Sequence, residues 1–155
     1  MAMLVEDLCR KIKSDFRFFK YLEEHEQIVV GHYLECCEVP IGTVLWHEGD
    51  DSNSAAFVVE GKIEVKKETE FKDKHVIVGI YGEGSVVGEL CLFSKEKRAV
   101  TATALTDVVL LKITAERFDA LLEVHPAIGG KLLKGMFLAV SLRLRKSFDR
   151  LAAIF

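Results

Sequence analysis

Proline is scarce in this chain, with Pro40 and Pro126 alone among 155 residues, and tryptophan occurs once, as Trp46. With half the residues hydrophobic, so few prolines leave room for regular structure and for a core large enough to fold as one domain spanning 1–155. No stretch approaches the ~20 consecutive apolar residues of a membrane-spanning helix. Glu6 and Asp7 stand where a secretory leader would carry its apolar centre, so the expected address is cytoplasmic, with no membrane partner. An excess of positive charge is also missing: 21 Lys and Arg against 24 Asp and Glu give a net charge of −3. That argues against a broad nucleic-acid surface. Cys9, Cys36, Cys37 and Cys91 have neither CxxC spacing nor the density of a disulfide scaffold, and are read as reduced core thiols. His47 and His75 lack companion ligands at metal spacing, so no metal, no catalytic residue and no enzyme is expected.

What is present is a change of period. From Val5 to Leu34 apolar residues recur in steps of three and four, at Leu8, Ile12, Phe16, Phe19 and Leu22, and predict short helices over residues 1–35. Beyond Cys36 the period falls to two. Val44 to Trp46, Ala56 to Val59, Lys62 to Lys66, Val76 to Ile80, Ala99 to Leu105 and Asp107 to Ile113 read as strands parted by Gly42, Gly49, Gly61, Gly82 and Gly84. About eight short strands over 36–113 predict a mainly β protein, a double-sheet jelly-roll barrel with flanking helices. Over 114–155 Thr114 is a candidate N-cap for a first helix, and Pro126 opens a second that runs nearly to Phe155. Along it Leu133, Phe137, Val140, Leu144, Ser147, Leu151 and Ile154 form a seam in steps of four and three. Such a seam serves packing against the barrel, a homodimer contact, or both.

The richest stretch is residues 86–101. Gly88 allows a close backbone approach, residues 89 to 92 predict a short helix whose first NH groups face an anion, Arg98 offers a planar guanidinium for phosphate oxygens, and Glu89 is an acceptor for a sugar hydroxyl. Gly88-Glu89-Leu90-Cys91-Leu92 followed by Arg98-Ala99 resembles the phosphate-binding cassette of the cyclic nucleotide-binding domain family. The likeness extends to His47-Glu48-Gly49-Asp50, to Val58 through Val65 and to Gly82-Glu83-Gly84, and spans roughly residues 35 to 150.

The resemblance implies a regulatory module of the kind found in catabolite activator proteins and protein kinase A regulatory subunits. Its ligand-binding set here is Gly88, Glu89, Leu90, Cys91, Arg98, Ala99 and Val100. Glu89 would take the ribose 2'-hydroxyl, Arg98 the cyclic phosphate, and the amides of Leu90, Cys91 and Ala99 the rest of the anion. Family members that favour the guanine nucleotide often carry Thr after the Arg, so Ala99 tilts the expected ligand toward cAMP over cGMP. Lys97 stands where many members have Pro, which leaves the loop before Arg98 without a preset φ. The resemblance also implies that a residue of the last helix, Phe137 or Leu144 for example, covers the base, and that this helix moves on binding. The helix-turn-helix of related transcription factors is not found here, so the effector is unassigned. The alternative is a ligand-free member acting as a dimerisation scaffold, or one that senses a redox state or another small molecule.

Overall fold

The structure, a computed structural model, describes residues 17–155. The predicted positions Leu8, Ile12 and Phe16 and the residue Cys9 lie outside the described residues. A single 3-10 turn (Arg17–Phe19) leads to helix α1 (Glu24–Gly31). Eight strands follow: β1 (Glu35–Val39), β2 (Val44–Trp46), β3 (Ser54–Glu60), β4 (Ile63–Glu68), β5 (His75–Tyr81), β6 (Val86–Val87), β7 (Thr101–Ala104) and β8 (Val108–Thr114). Helices α2 (Ala115–Val124) and α3 (Pro126–Ile154) close the chain.

The strands form two four-stranded sheets, ordered β1-β8-β3-β6 and β2-β7-β4-β5, with every pair antiparallel. This is the jelly-roll arrangement that the strand count predicted. The alternation of side chains across a strand divides the core in two. Ala56 and Val58 of β3 meet Ile63, Val65, Val87, Ala102, Ala104, Val108 and Leu110 between the sheets. Ala55, Phe57 and Val59 point the other way, where Leu111 and Ile113 of β8 join Phe18, Val30, Phe118, Leu132 and Met136 from the helical layer. A strand covered on both faces needs a continuous apolar run, as in β3. Cys36 and Cys37, consecutive on β1, likewise face opposite cores, which removes any prospect of a bridge between them. Burial pushes both thiols above the ordinary range.

Thr114 caps α2 as expected, its hydroxyl accepting from the Arg117 NH at 3.1 Å. The seam expected along α3 does not stay together. Leu133 and Val140 pack on the core, whereas Phe137, Leu144, Leu151 and Ile154 are exposed. The face that α3 buries is Gly129, Leu132, Met136 and Ala139, again in steps of three and four but offset by one position. Small residues are required there because the helix rides close to its neighbours. A Cβ on Gly135 would stand 2.5 Å from the Phe18 carbonyl oxygen, and one on Gly129 2.7 Å from the Leu122 side chain. At its start α3 is tied to α1 by Lys131, whose ammonium donates to both Glu26 carboxylate oxygens at 2.7 and 2.9 Å.

Candidate functional site

All seven residues singled out from the sequence, Gly88, Glu89, Leu90, Cys91, Arg98, Ala99 and Val100, line one cavity of about 270 Å³. Local chain geometry brings them together. Gly88 ends β6 in the left-handed region (φ 72°), turning the chain into a 3-10 turn over Glu89–Leu92. The expected short helix is therefore the tighter 3-10 form. The Cys91 thiol donates to the Gly88 carbonyl at 3.1 Å, which ties down the turn and accounts for the burial of this cysteine.

Arg98 is held by a part of the sequence 48 and 49 residues away. Its backbone NH donates to the Asp50 carbonyl at 2.8 Å, and its own carbonyl accepts from the Gly49 NH at 2.9 Å. The His47-to-Asp50 segment is a turn, with the His47 NH donating to the Asp50 carboxylate at 2.9 Å and Gly49 at φ 88°. Glu48 fixes the same corner to β4, accepting from the Glu68 NH at 2.9 Å and from Lys67 at 3.2 Å, while Lys67 also donates to the Ala99 carbonyl at 3.1 Å. These bonds, with the Glu68 NH first, hold the Glu48 carboxyl below its usual range. Backbone pairing to this turn does for the loop what a proline at Lys97 would have done.

The Arg98 side chain is 8 % exposed. Its guanidinium carbon sits 3.7 Å from the centre of a Trp46 ring, and Nη2 donates to the Ser54 carbonyl at 2.8 Å. Among the described residues Nε and Nη1 have no hydrogen-bond partner, and no carboxylate pairs with the group. Burial lowers its pKa, against the pull of Cys91 and Asp50. A buried charge with unsatisfied donors is unfavourable by ~1–3 kcal/mol per group or more, so it persists where something else is meant to complete it.

Glu89 lines the same cavity in quite different company. Arg143, which continues the inner face of α3 four residues beyond Ala139, places Nη1 3.5 Å from the Glu89 carboxylate. Its Nη2 donates to the Val86 carbonyl, and its guanidinium lies 4.0 Å from the centre of the Tyr81 ring. Thus the residue of α3 that reaches the cavity is Arg143. Phe137 and Leu144, 73 % and 54 % exposed, do not line the cavity in this structure. A second, larger cavity of about 580 Å³ adjoins along Tyr81 and Arg143, between the β5–β6 turn and α3. Trp46, Ser54, Tyr81 and Arg143 are the site residues that sequence reasoning missed. Only the single tryptophan offered a signal, as a large aromatic at the end of a short strand beside a motif already in view.

The family model described as "Cyclic nucleotide-binding domain" matches residues 36–125. The lysophospholipase nte1 of Aspergillus oryzae is 35% identical over 96 residues, which is 61% of this chain and 6% of that protein. The chain therefore spans only a small part of the curated relatives it matches. Among solved structures, a cyclic nucleotide-binding domain from Methylobacillus flagellatus superposes with a TM-score of 0.80 at 21% identity, covering 86% of this chain and 75% of that one. The cAMP-bound PfPKA-R structure superposes at 0.63 with 27% identity, over 74% of this chain and 40% of that one.

Proposed function

Since this chain belongs to the cyclic nucleotide-binding domain family, we propose that its cavity takes a cyclic purine nucleotide, with Arg98 on the phosphate and Glu89 on the ribose 2'-hydroxyl. The observation that carries this reading is the Arg98 guanidinium, buried against Trp46, with two nitrogens that have no acceptor among the described residues. An anionic phosphate oxygen is the partner such donors lack, and in so dry a setting a charge-assisted bond is at its strongest. Gly88 is part of the fit, because a Cβ there would stand 2.3 Å from Arg98 Nη1 and crowd the guanidinium. The amides of Leu90, Cys91 and Ala99, and the adjoining Val100, complete the enclosure.

A cavity of about 270 Å³ lies just under the usual range for small-molecule sites and suits a sugar phosphate. The base then extends toward Val78, Tyr81 and Arg143 at the cavity's edge. Cyclic AMP is favoured over cyclic GMP, on Ala99 in place of Thr and on the cAMP-bound relative.

Arg143 supplies the output. A ribose hydroxyl that donates to Glu89 competes with Arg143 for the same carboxylate, so binding alters what anchors α3 to the cassette. Ligand can shift the position of α3 only by its differential interaction with the two helix positions, and Glu89 is the group that differs. The protein is read as a regulatory module and not as an enzyme. The lysophospholipase activity of its long relatives is not ascribed to these residues.

Calorimetric titration with cAMP and cGMP tests the reading. Saturable 1:1 binding of cAMP, weakened at least about tenfold by Arg98→Ala, is expected from the loss of one charge-assisted bond of ~1.5–3 kcal/mol. Equal affinity in the two proteins would refute the phosphate role.

A further inference from the structure

Trp46 belongs to no motif that the family likeness rests on, yet it packs directly on the group that the proposed function turns on. Its ring centre is 3.7 Å from the Arg98 guanidinium carbon, and its Cη2 lies 3.0 Å from where a Gly88 Cβ would stand. Gly88, Trp46 and Arg98 therefore form one close stack, which is possible because Gly88 has no side chain. The indole is mounted on a strand: Trp46 ends β2 and pairs with Ala102 of β7. It is a rigid wall, while an arginine side chain left to itself has many rotamers. The backbone pairing to Gly49 and Asp50 fixes where the Arg98 side chain starts, but not where its guanidinium ends. Among the described residues that end is fixed by Ser54, whose carbonyl accepts from Nη2 at 2.8 Å and whose hydroxyl oxygen accepts from it at 3.5 Å, and by the Trp46 face.

We infer that Trp46 is the positioning residue of Arg98, acting on phosphate affinity through the guanidinium without touching the ligand's charge itself. The inference rests on the reading of Arg98 as the phosphate-binding group. A guanidinium whose carbon sits 3.7 Å from the centre of an aromatic ring cannot move toward that side, and the hydrogen bonds from Nη2 to Ser54 restrain its rotation. The donors left over then keep one direction before any ligand arrives, so little ordering remains to be done on binding. The same face covers one side of the cation and contributes to its burial.

The experiment is a double-mutant cycle read by calorimetry with cAMP, with adenosine as the uncharged control. Trp46→Leu removes the aromatic face and is expected to weaken cAMP about three- to thirtyfold, the range of a desolvated cation–π contact. Trp46→Phe keeps a face and restores most of the loss. In an Arg98→Met background Trp46→Leu has no further effect, because the group it acts through is gone. Adenosine binding is unchanged by Trp46→Leu throughout. A merely structural role predicts otherwise: equal losses for cAMP and adenosine, or the same loss with and without Arg98, and either result overturns the inference.

Trp46 is also the chain's only tryptophan. The emission of ligand-free protein therefore reads the stack directly, and a difference is expected between wild type and Arg98→Met. Identical spectra overturn the inference even if Trp46→Leu does not fold. A wild-type protein that binds neither cyclic nucleotide removes the reading of the site and this inference with it. A wild-type protein that binds, with additive substitutions, removes this inference alone.

Discussion

Replacing Arg98 by Met, which keeps the length of the side chain and discards its charge, should separate binding from stability. Three contributions change in the ligand-free protein. The substitution loses the bond from Nη2 to the Ser54 carbonyl (2.8 Å), a charge-assisted contact of ~1.5–3 kcal/mol. It also loses the stack on Trp46, ~0.5–2 kcal/mol. Against these, two buried donors that have no acceptor among the described residues cease to exist, relieving ~1–3 kcal/mol each. The sums nearly cancel, so urea unfolding of ligand-free Arg98→Met should match wild type to within about 1–2 kcal/mol. That is unusual for a side chain only 8 % exposed, whose replacement ordinarily costs more. Affinity for cAMP should fall about ten- to a hundredfold in the same protein. Saturating ligand at ~100 times its dissociation constant should then stabilise wild type by ~2.7 kcal/mol and leave the variant at that concentration far less protected. A variant destabilised by more than ~4 kcal/mol that still binds as wild type would show that Arg98 is a structural residue, and the argument from its unsatisfied donors would fail.

Three further outcomes are expected. Glu89→Gln should lower affinity for cAMP about tenfold and abolish the preference for cAMP over its 2'-deoxy analogue, which competition calorimetry reads; a preference that survives would reassign the ribose contact. Gly88→Ala places a side chain on a left-handed residue (φ 72°) and against Arg98, so it should cost ~1–2 kcal/mol of stability in urea and weaken binding together; a fully stable, fully binding protein would contradict the packing described. Glu26 has its pKa held below the ordinary 4.5, first by the hydrogen bond from Lys131 and then by the Glu23 NH. A lowered carboxylate contributes stability above its unfolded pKa and loses it as pH falls through the folded one. Thermal unfolding from pH 7 to pH 3 should therefore show a smaller acid-side decline for Glu26→Gln than for wild type, and parallel curves would remove Glu26 from the account.

The parts of this protein that were legible in sequence are those whose evidence is local. Turn glycines, alternating runs and the Thr114 cap each announce themselves within a few residues, and the cassette packs its glycine, carboxylate and arginine between residues 88 and 98. The unread parts depend on long-range contact. The Ser54 carbonyl that fixes Arg98 is 44 residues away in sequence, and the Arg143 that holds Glu89 is 54 away. Nothing in a period of two or 3.6 marks either pairing. The fully buried face of α3 was not legible for a packing reason: close approach to Phe18 and Leu122 demands Gly135 and Gly129, and small residues carry little weight in a hydrophobic pattern. The eye follows Phe137, Leu144, Leu151 and Ile154 instead, which the fold leaves exposed. One position along a helix is about 100°, enough to set Arg143 at the cavity while Leu144 is exposed.

The most direct test is to watch the guanidinium itself, by nitrogen-15 NMR of arginine side chains, with Arg98 assigned from the Arg98→Met spectrum. Addition of cAMP should shift the Arg98 Nε resonance strongly downfield and slow its exchange with water, while adenosine leaves it in place. An Arg98 signal that stays unmoved while cAMP saturates the protein would mean that the phosphate is held elsewhere, and the account of this site would be wrong.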